Sequence, residues 1–588
     1  MFNDVRPLFF GARWKPLSRA RHWFSKAAAG APAPQALAPE ANAKLSVATF
    51  FLIAAAYLLP GLVGHDPWKQ DETYIFGAVQ HILDSGDWVV PTVAGEPFME
   101  KPPLYYWIAA GFAWLCSAWL PLHDGARLAT GFFMVITCGS AGWAARRWWG
   151  DGYGRFGVLA LLACLGIVLY GHLMLTDIPV LTGFAIASCA FAVARTRPIV
   201  AGLVLSVGVG VGFLAKGVLA PGVLGLTAIL LPCIFRAWRE PRYYRALAIA
   251  SLAVLPWLLI WPIALYLRSP ALFFDWIWLN NIGRFLGFSV PLLGAAHPGG
   301  FWAKTIPWFT FPALPLALVS LWRHRNMISL SGPIQFSLVL SGVLMSVLTL
   351  SASARATYAL PLLLPVCLLA APATLTLSSA IDRWWDWSAR FLFGTLAAAI
   401  WTVWLLMVAY DRPLHWRWLD GYLPAFVPPL DFDAIVVAPL LTMVAIGIIW
   451  RGSKARGRGV ISWVTGLMLC WALVSTLWLE WIDYAKSYRS VFSSLQLALP
   501  QTYRCVASSG LGESERAMLR YVLGINTKRQ EITPTADCDL LLIDGLAASP
   551  PSRSKVMNLE LLWEGARPSD LRERFWLYKD INESVRTP

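Results

Sequence analysis

Residues 104–121 read LYYWIAAGFAWLCSAWLP, and the threading of the whole chain turns on whether this segment crosses a bilayer. It is apolar and close to the ~20 residues that a helix needs to span the hydrocarbon core. Thirteen other segments of the same character lie near residues 46–64, 126–145, 156–175, 178–194, 199–214, 218–235, 246–267, 303–322, 333–351, 357–377, 391–410, 434–450 and 459–481. If all fourteen cross, the basic loops fall on both sides. If 104–121 lies in or dips into the interface instead, thirteen spans remain and the charges sort. One side then holds Arg146, Arg147 and Arg155; Arg195 and Arg197; Arg236, Arg239, Arg242 and Arg245; Arg323 and Arg325; Arg383 and Arg390; and Arg451, Lys454, Arg456 and Arg458. The N-terminal tail, with Arg6, Arg13, Lys15, Arg19, Arg21, Lys26 and Lys44, joins them. Short cytoplasmic loops retain Lys and Arg, so this side is assigned to the cytoplasm.

Composition agrees with a membrane protein. Of 588 residues, 57% are hydrophobic and 14% charged, too few charges to cover a soluble core of that size. Thirty-two tryptophans suit a chain with two membrane–water interfaces to line. The formal net charge of +14 follows from arginines kept in inner loops and does not call for nucleic acid. Seven of the nine cysteines lie in or beside apolar segments and act as small apolar residues. Cys505 and Cys538 fall in the polar C-terminal region, where they could pair if it faces an oxidising compartment.

The expected organisation is a basic cytoplasmic tail (1–45), a transmembrane domain (46–482) and a C-terminal domain on the outer side (483–588). The tail is not a cleavable signal peptide, because the first apolar segment is long enough to remain as a span. In the first outer loop, 65–125, the apolar residues Ile75, Phe76, Val79, Ile82 and Leu83 share one helical face. They predict an interfacial amphipathic helix starting at Asp71. Further outer loops cover 268–302 and 411–433. The C-terminal region mixes strand-like LLLID (540–544) with helix-like ERAMLRYVL (515–523), a small α/β domain.

That topology, drawn from the arginine loops alone, places the unusual polar residues at the outer ends of spans. They are Asp71, Glu72, Glu100, Lys101, Asp177, Lys216, Arg284, His297, Arg355 and Tyr358. Ionisable groups at or within a membrane are costly unless they serve a site or pathway. Carboxylates can orient or deprotonate an attacking group. Lys, Arg and a Tyr hydroxyl can stabilise a departing phosphate. Together they suit a lipid-linked phosphate donor whose tail stays in the bilayer.

The block Asp71-Glu72-Thr73, Ser85-Gly86-Asp87-Trp88, Pro91, Gly95-Glu96-Pro97-Phe98-Met99-Glu100-Lys101-Pro102-Pro103 and Tyr106-Trp107 resembles the first periplasmic loop of a family of bacterial membrane glycosyltransferases. These are the 4-amino-4-deoxy-L-arabinose lipid A transferases, relatives of protein O-mannosyltransferases. Thr176-Asp177, Ala215-Lys216-Gly217, Asn281-Ile282-Gly283-Arg284-Phe285 and Tyr358-Ala359-Leu360-Pro361 resemble later blocks in the same order. The chain departs from the family pattern at Tyr74-Ile75, where Arg-Tyr is usual, and at Asn280-Asn281, where many members carry Glu-His.

The resemblance implies a GT-C fold: an all-α polytopic bundle of about thirteen spans with a small C-terminal α/β periplasmic domain. It implies an inverting transfer from an undecaprenyl-phosphate sugar donor to lipid A or another envelope glycan, at the periplasmic face of the bacterial inner membrane. Asp71, supported by Asp177 and Glu72, would be the catalytic carboxylate. Lys101, Lys216, Arg284 and Tyr358 would bind the donor phosphate. Glu100 and His297 are the candidate ligands of a divalent metal. The competing reading is a transporter of lipid-linked sugars. Transporters tend to carry inverted repeats and broken helices at mid-membrane, and the sequence shows no such repeat.

Overall fold

A computed structural model describes residues 45–293, 299–409, 430–452, 455–533, 538–551, 559–570 and 572–580. Among these, eight helices are long and apolar enough to cross a membrane, including Leu122–Trp149, Pro198–Lys216, Pro241–Arg268, Ser379–Ala409 and Arg458–Leu477. A ninth span is available if the pair Phe301–Phe309 and Ala313–Arg323 counts as one. Five shorter apolar helices stand beside them: Val47–Leu58, Leu104–Cys116, Tyr153–Leu162, Asp177–Val193 and Leu219–Ile234.

Two segments expected as single spans are interrupted. The stretch 303–322 bends by 87° between its two helices. Pro312 sits at the break; it brings no N–H to the helical ladder and disfavours helical backbone at Phe311. The stretch 156–175 divides into Tyr153–Leu162 and Leu165–Tyr170. Segment 104–121 is helical only over Leu104–Cys116, 13 residues. At 1.5 Å per residue that is about 20 Å, short of the ~30 Å hydrocarbon core. Its Tyr105 hydroxyl bonds Thr130 of the next helix at 2.7 Å.

The helices deliver two chemically distinct ends. The basic loops meet at one of them. Arg195 pairs with Glu240 at 3.0 Å, Arg323 donates to the Thr376 carbonyl, and Arg390 pairs with Asp386 at 2.8 Å. Helix Pro198–Lys216 starts beside Arg197 at that end and finishes at Lys216 at the other. Helix Asp177–Val193 runs the opposite way.

At the second end the C-terminal region folds against the first loop. Its sheet has the spatial order Lys528–Arg529, Val506–Ser509, Leu540–Leu546, Glu573–Asp580, Leu559–Gly565. The first three strands are parallel and the last two pair antiparallel. Val506, Met518, Leu540, Leu542, Phe575 and Leu577 form its core, and a disulfide joins Cys505 to Cys538. Helix Glu513–Leu523 lies on helix Asp71–Ser85, which begins at the residue the pattern predicts. Ion pairs fasten the contact: Lys69 to Glu515 and Glu573, both at 2.6 Å, Arg516 to Glu96 at 2.8 Å, and Arg520 to Asp84 at 2.9 Å.

Candidate active site

Asp71 opens its helix, where a carboxylate meets the positive end of the helix dipole. The Tyr74 hydroxyl donates to its Oδ1, and the Arg355 guanidinium donates to the same atom at 3.2 Å. Burial lowers the Arg355 pKa, but Asp71 more than compensates and holds the guanidinium firmly charged.

Downstream, the hairpin Thr92–Val93/Glu96–Pro97 leads into a turn that carries Glu100 and Lys101. Lys101 donates to Glu100 Oε1 at 2.9 Å, and Arg284 contacts that same oxygen. Burial pushes the Glu100 carboxyl up, yet Lys101 and then Arg284 reverse this and keep it below the usual carboxylate range. Lys101 shows the mirror effect: burial lowers its pKa, Glu100 raises it, and the net shift is upward.

Arg284 follows a π-helical stretch, Asp275–Gly283, that also carries Asn280 and Asn281. Irregular turns of this kind recur at functional sites. Lys216 ends helix Pro198–Lys216 and pairs with Asp177. Its ammonium stands 3.6 Å from the centroid of the Tyr358 ring, a cation–π contact. Gly217, at φ +71°, closes that helix, and a Cβ there would stand 2.0 Å from Asn281 Oδ1. Only glycine admits this approach, which links the Ala215-Lys216-Gly217 block to the Asn281 block.

Two adjoining cavities result. One, of about 290 Å³, is lined by Glu100, Lys101, Lys216, Arg284 and Tyr358 together with Val218, Leu219, Gly222, Val223, Val347 and Leu348. The other, of about 600 Å³, is polar. Tyr74, Arg284 and Arg355 wall it from the bundle, Lys69 from the first loop, and Glu513, Ser514, Glu515 and Asp544 from the C-terminal domain. Glu100, Asn280 and Arg284 line both. Burial, then Glu573 and Glu515, pushes the Asp544 carboxyl up to about 7.

The structure thus gathers Asp71, Asp177, Glu100, Lys101, Lys216, Arg284 and Tyr358 at one end of the bundle. The Tyr170 hydroxyl lies within electrostatic reach of both Asp71 and Asp177. Glu72 is placed elsewhere. It is 2% exposed and pairs with the buried Arg127 at 3.1 Å. It also accepts from the backbone N–H of Trp68 and Met174, and it lines neither cavity. Its neighbour Asp71 bonds Tyr74 and Arg355, which line the polar cavity; Glu72 faces the bundle. His297 lies outside the described residues.

The metal expectation does not fit Glu100. The Lys101 and Arg284 cations already occupy its bridging oxygen, and a divalent ion would stand against both. Elsewhere, Glu515, Asp544 and Glu573 bring carboxylate oxygens within 4.8 Å of one another, but the Lys69 ammonium already bonds two of them. Sequence reasoning did not assign Tyr74, Asn280 or the C-terminal wall to the site. Arg355 stood among the unusual polar residues without a role, since nothing local in the sequence ties it to Asp71, 284 positions away.

No protein-family model matches the chain. It is 31% identical over 343 residues to an undecaprenyl phosphate-α-4-amino-4-deoxy-L-arabinose arabinosyl transferase of Sodalis glossinidius, covering 56% of this chain and 59% of that protein. It is 30% identical over 332 residues to the protein of that name from Pseudomonas aeruginosa, covering 53% and 56%. The chain therefore spans rather more than half the length of these relatives. Among solved structures it matches ArnT from Cupriavidus metallidurans bound to undecaprenyl phosphate, with a TM-score of 0.67 at 17% identity, covering 90% of this chain and 97% of that one. The apo form of that protein matches with a TM-score of 0.62. The fold is the GT-C fold of ArnT, and the chain is a homologue of the aminoarabinose transferases.

Proposed function

We propose that this homologue of the aminoarabinose transferases is itself an inverting glycosyltransferase. It takes a sugar from an undecaprenyl-phosphate donor and passes it to lipid A, or to another envelope glycan, at the periplasmic face of the inner membrane. The observation that carries the reading is the pair of cavities joined at Glu100, Asn280 and Arg284. A cavity lined by both apolar residues and cations fits a polyprenyl phosphate, and a polar chamber beside it fits a sugar and its acceptor.

In this scheme the polyprenyl tail lies along Leu219, Val223, Val347 and Leu348, and the phosphate sits among Lys101, Lys216 and Arg284, with the Tyr358 hydroxyl alongside. The acceptor oxygen attacks the anomeric carbon from the chamber. One C–O bond forms, the C–O bond to the phosphate breaks, and undecaprenyl phosphate departs with its charge met by the cations. Asp71 already accepts from Tyr74 and Arg355, which suits a carboxylate that orients the acceptor. A lipid A phosphate arrives ionised, so positioning supplies most of the effect; a hydroxyl acceptor would draw on base catalysis as well. Residues 46–482 form the transferase domain, 483–588 the periplasmic domain that roofs the chamber, and 1–45 the cytoplasmic tail.

The test is transfer of radiolabelled sugar from donor to lipid A by purified protein in detergent, with no sealed membrane. Asp71→Asn is expected to abolish transfer. Full activity in that variant removes Asp71 from the mechanism. Movement of the lipid-linked sugar across proteoliposomes, with no transfer in detergent, would favour the transporter instead.

A further inference from the structure

Each cation of the phosphate cradle already holds a carboxylate: Lys216 holds Asp177, while Lys101 and Arg284 share Glu100. The Glu100 arrangement differs from an ordinary ion pair. A single oxygen, Oε1, bridges two cations that come from segments 183 positions apart, Lys101 and Arg284. A phosphate oxygen set between them would make the same two contacts. All three side chains are nearly desolvated, at 10–14% exposure, so the charges act strongly on one another. Glu100 lines both cavities and sits in a turn, not a helix. Glu72 makes a useful contrast: its pair with Arg127 is buried, accepts backbone N–H groups and touches neither cavity, as a purely structural ion pair should.

We propose that Glu100 is a stand-in for the donor phosphate: in the free protein its carboxylate fills the anion position between Lys101 and Arg284, and the incoming phosphate displaces it. This rests on the reading of the cradle as the donor site. Two consequences follow from charge alone. A neutral headgroup cannot displace Glu100 without stranding both cations, so the site demands an anion. When the sugar has left and undecaprenyl phosphate must go, the carboxylate swings back and restores the pairing. Glu100 is thus a specificity-setting and positioning residue, opposing the binding of donor and product alike.

The experiment measures binding of undecaprenyl phosphate and of undecaprenol to the detergent-purified full chain. Glu100→Gln, which keeps the shape and removes the charge, is expected to bind undecaprenyl phosphate roughly tenfold more tightly, with undecaprenol unchanged. In turnover the same variant should lower KM and kcat together, because product release slows. Weaker or unchanged binding of undecaprenyl phosphate overturns the proposal, and so does an effect of the substitution that requires an added divalent metal. Should Glu100→Gln fail to elute as a monodisperse protein, Glu100→Asp, with its carboxylate drawn back by one methylene, must shift affinity the same way by a smaller factor. Lys101→Ala and Lys216→Ala separate the two ideas. If both leave undecaprenyl phosphate binding intact, the cradle reading itself fails. If they weaken it while Glu100→Gln does not strengthen it, the cradle stands and Glu100 is released from this role.

Discussion

Adjacent carboxylates on one helix, Asp71 and Glu72, do different work because helix geometry turns them about 100° apart. Glu72 and Asp124 both depend on Arg127, which is fully buried. Replacing Arg127 with Ala strands two buried carboxylates, a loss of about 3–5 kcal/mol. The expected outcome is a collapse in folded yield and a lowered melting temperature in detergent. Asp71→Asn should melt like the wild type while losing transfer, so parallel melting curves and transfer assays on the two variants check the division. The sequence marks both acids as unusual at an outer span end, and there its information stops. Which of them turns inward depends on Arg127, 55 positions from Glu72, and on how the next span packs.

Helices were the most legible elements, because runs of ~20 apolar residues and the i, i+3, i+4 pattern are local properties. The helix beginning at Asp71 and the strand and helix of the C-terminal region fall where the sequence puts them. Breaks were less legible: Pro312 interrupts an apolar run that hydropathy reads as continuous. The Ala215-Lys216-Gly217 block is a case where element geometry explains a motif. Its glycine ends a span in the left-handed region and admits the Asn281 side chain. Gly217→Ala must displace Asn281 and shift the last turn that carries Lys216. The expected result is at least a tenfold loss in affinity for undecaprenyl phosphate, read by direct binding, with the remaining helix content by circular dichroism intact.

The molecule as a whole is a membrane bundle whose polar chamber is completed by a separately built sheet domain. That partnership was the least legible part, since the ion pairs joining the two bring together residues more than 400 positions apart, such as Lys69 and Glu515. It carries a pH signature. Asp544 has an ordinary pKa of 3.8 and is raised to about 7 by burial and by Glu573 and Glu515. The folded state therefore binds this proton more tightly than the unfolded chain, so Asp544 costs stability progressively as pH rises from about 4 to about 7. Asp544→Asn is expected to raise the melting temperature at pH 8 and to leave it unchanged near pH 4. An equal shift at both values would show that the carboxylate is not the cause.

Because Glu513, Ser514, Glu515 and Asp544 all follow Arg458–Leu477, the last long apolar helix among the described residues, synthesis leaves the polar chamber open until the C-terminal stretch has folded. A nascent copy sits in the bilayer with its spans in place and half a container. The container closes only when the lid, arriving last, locks on to a loop that was made first.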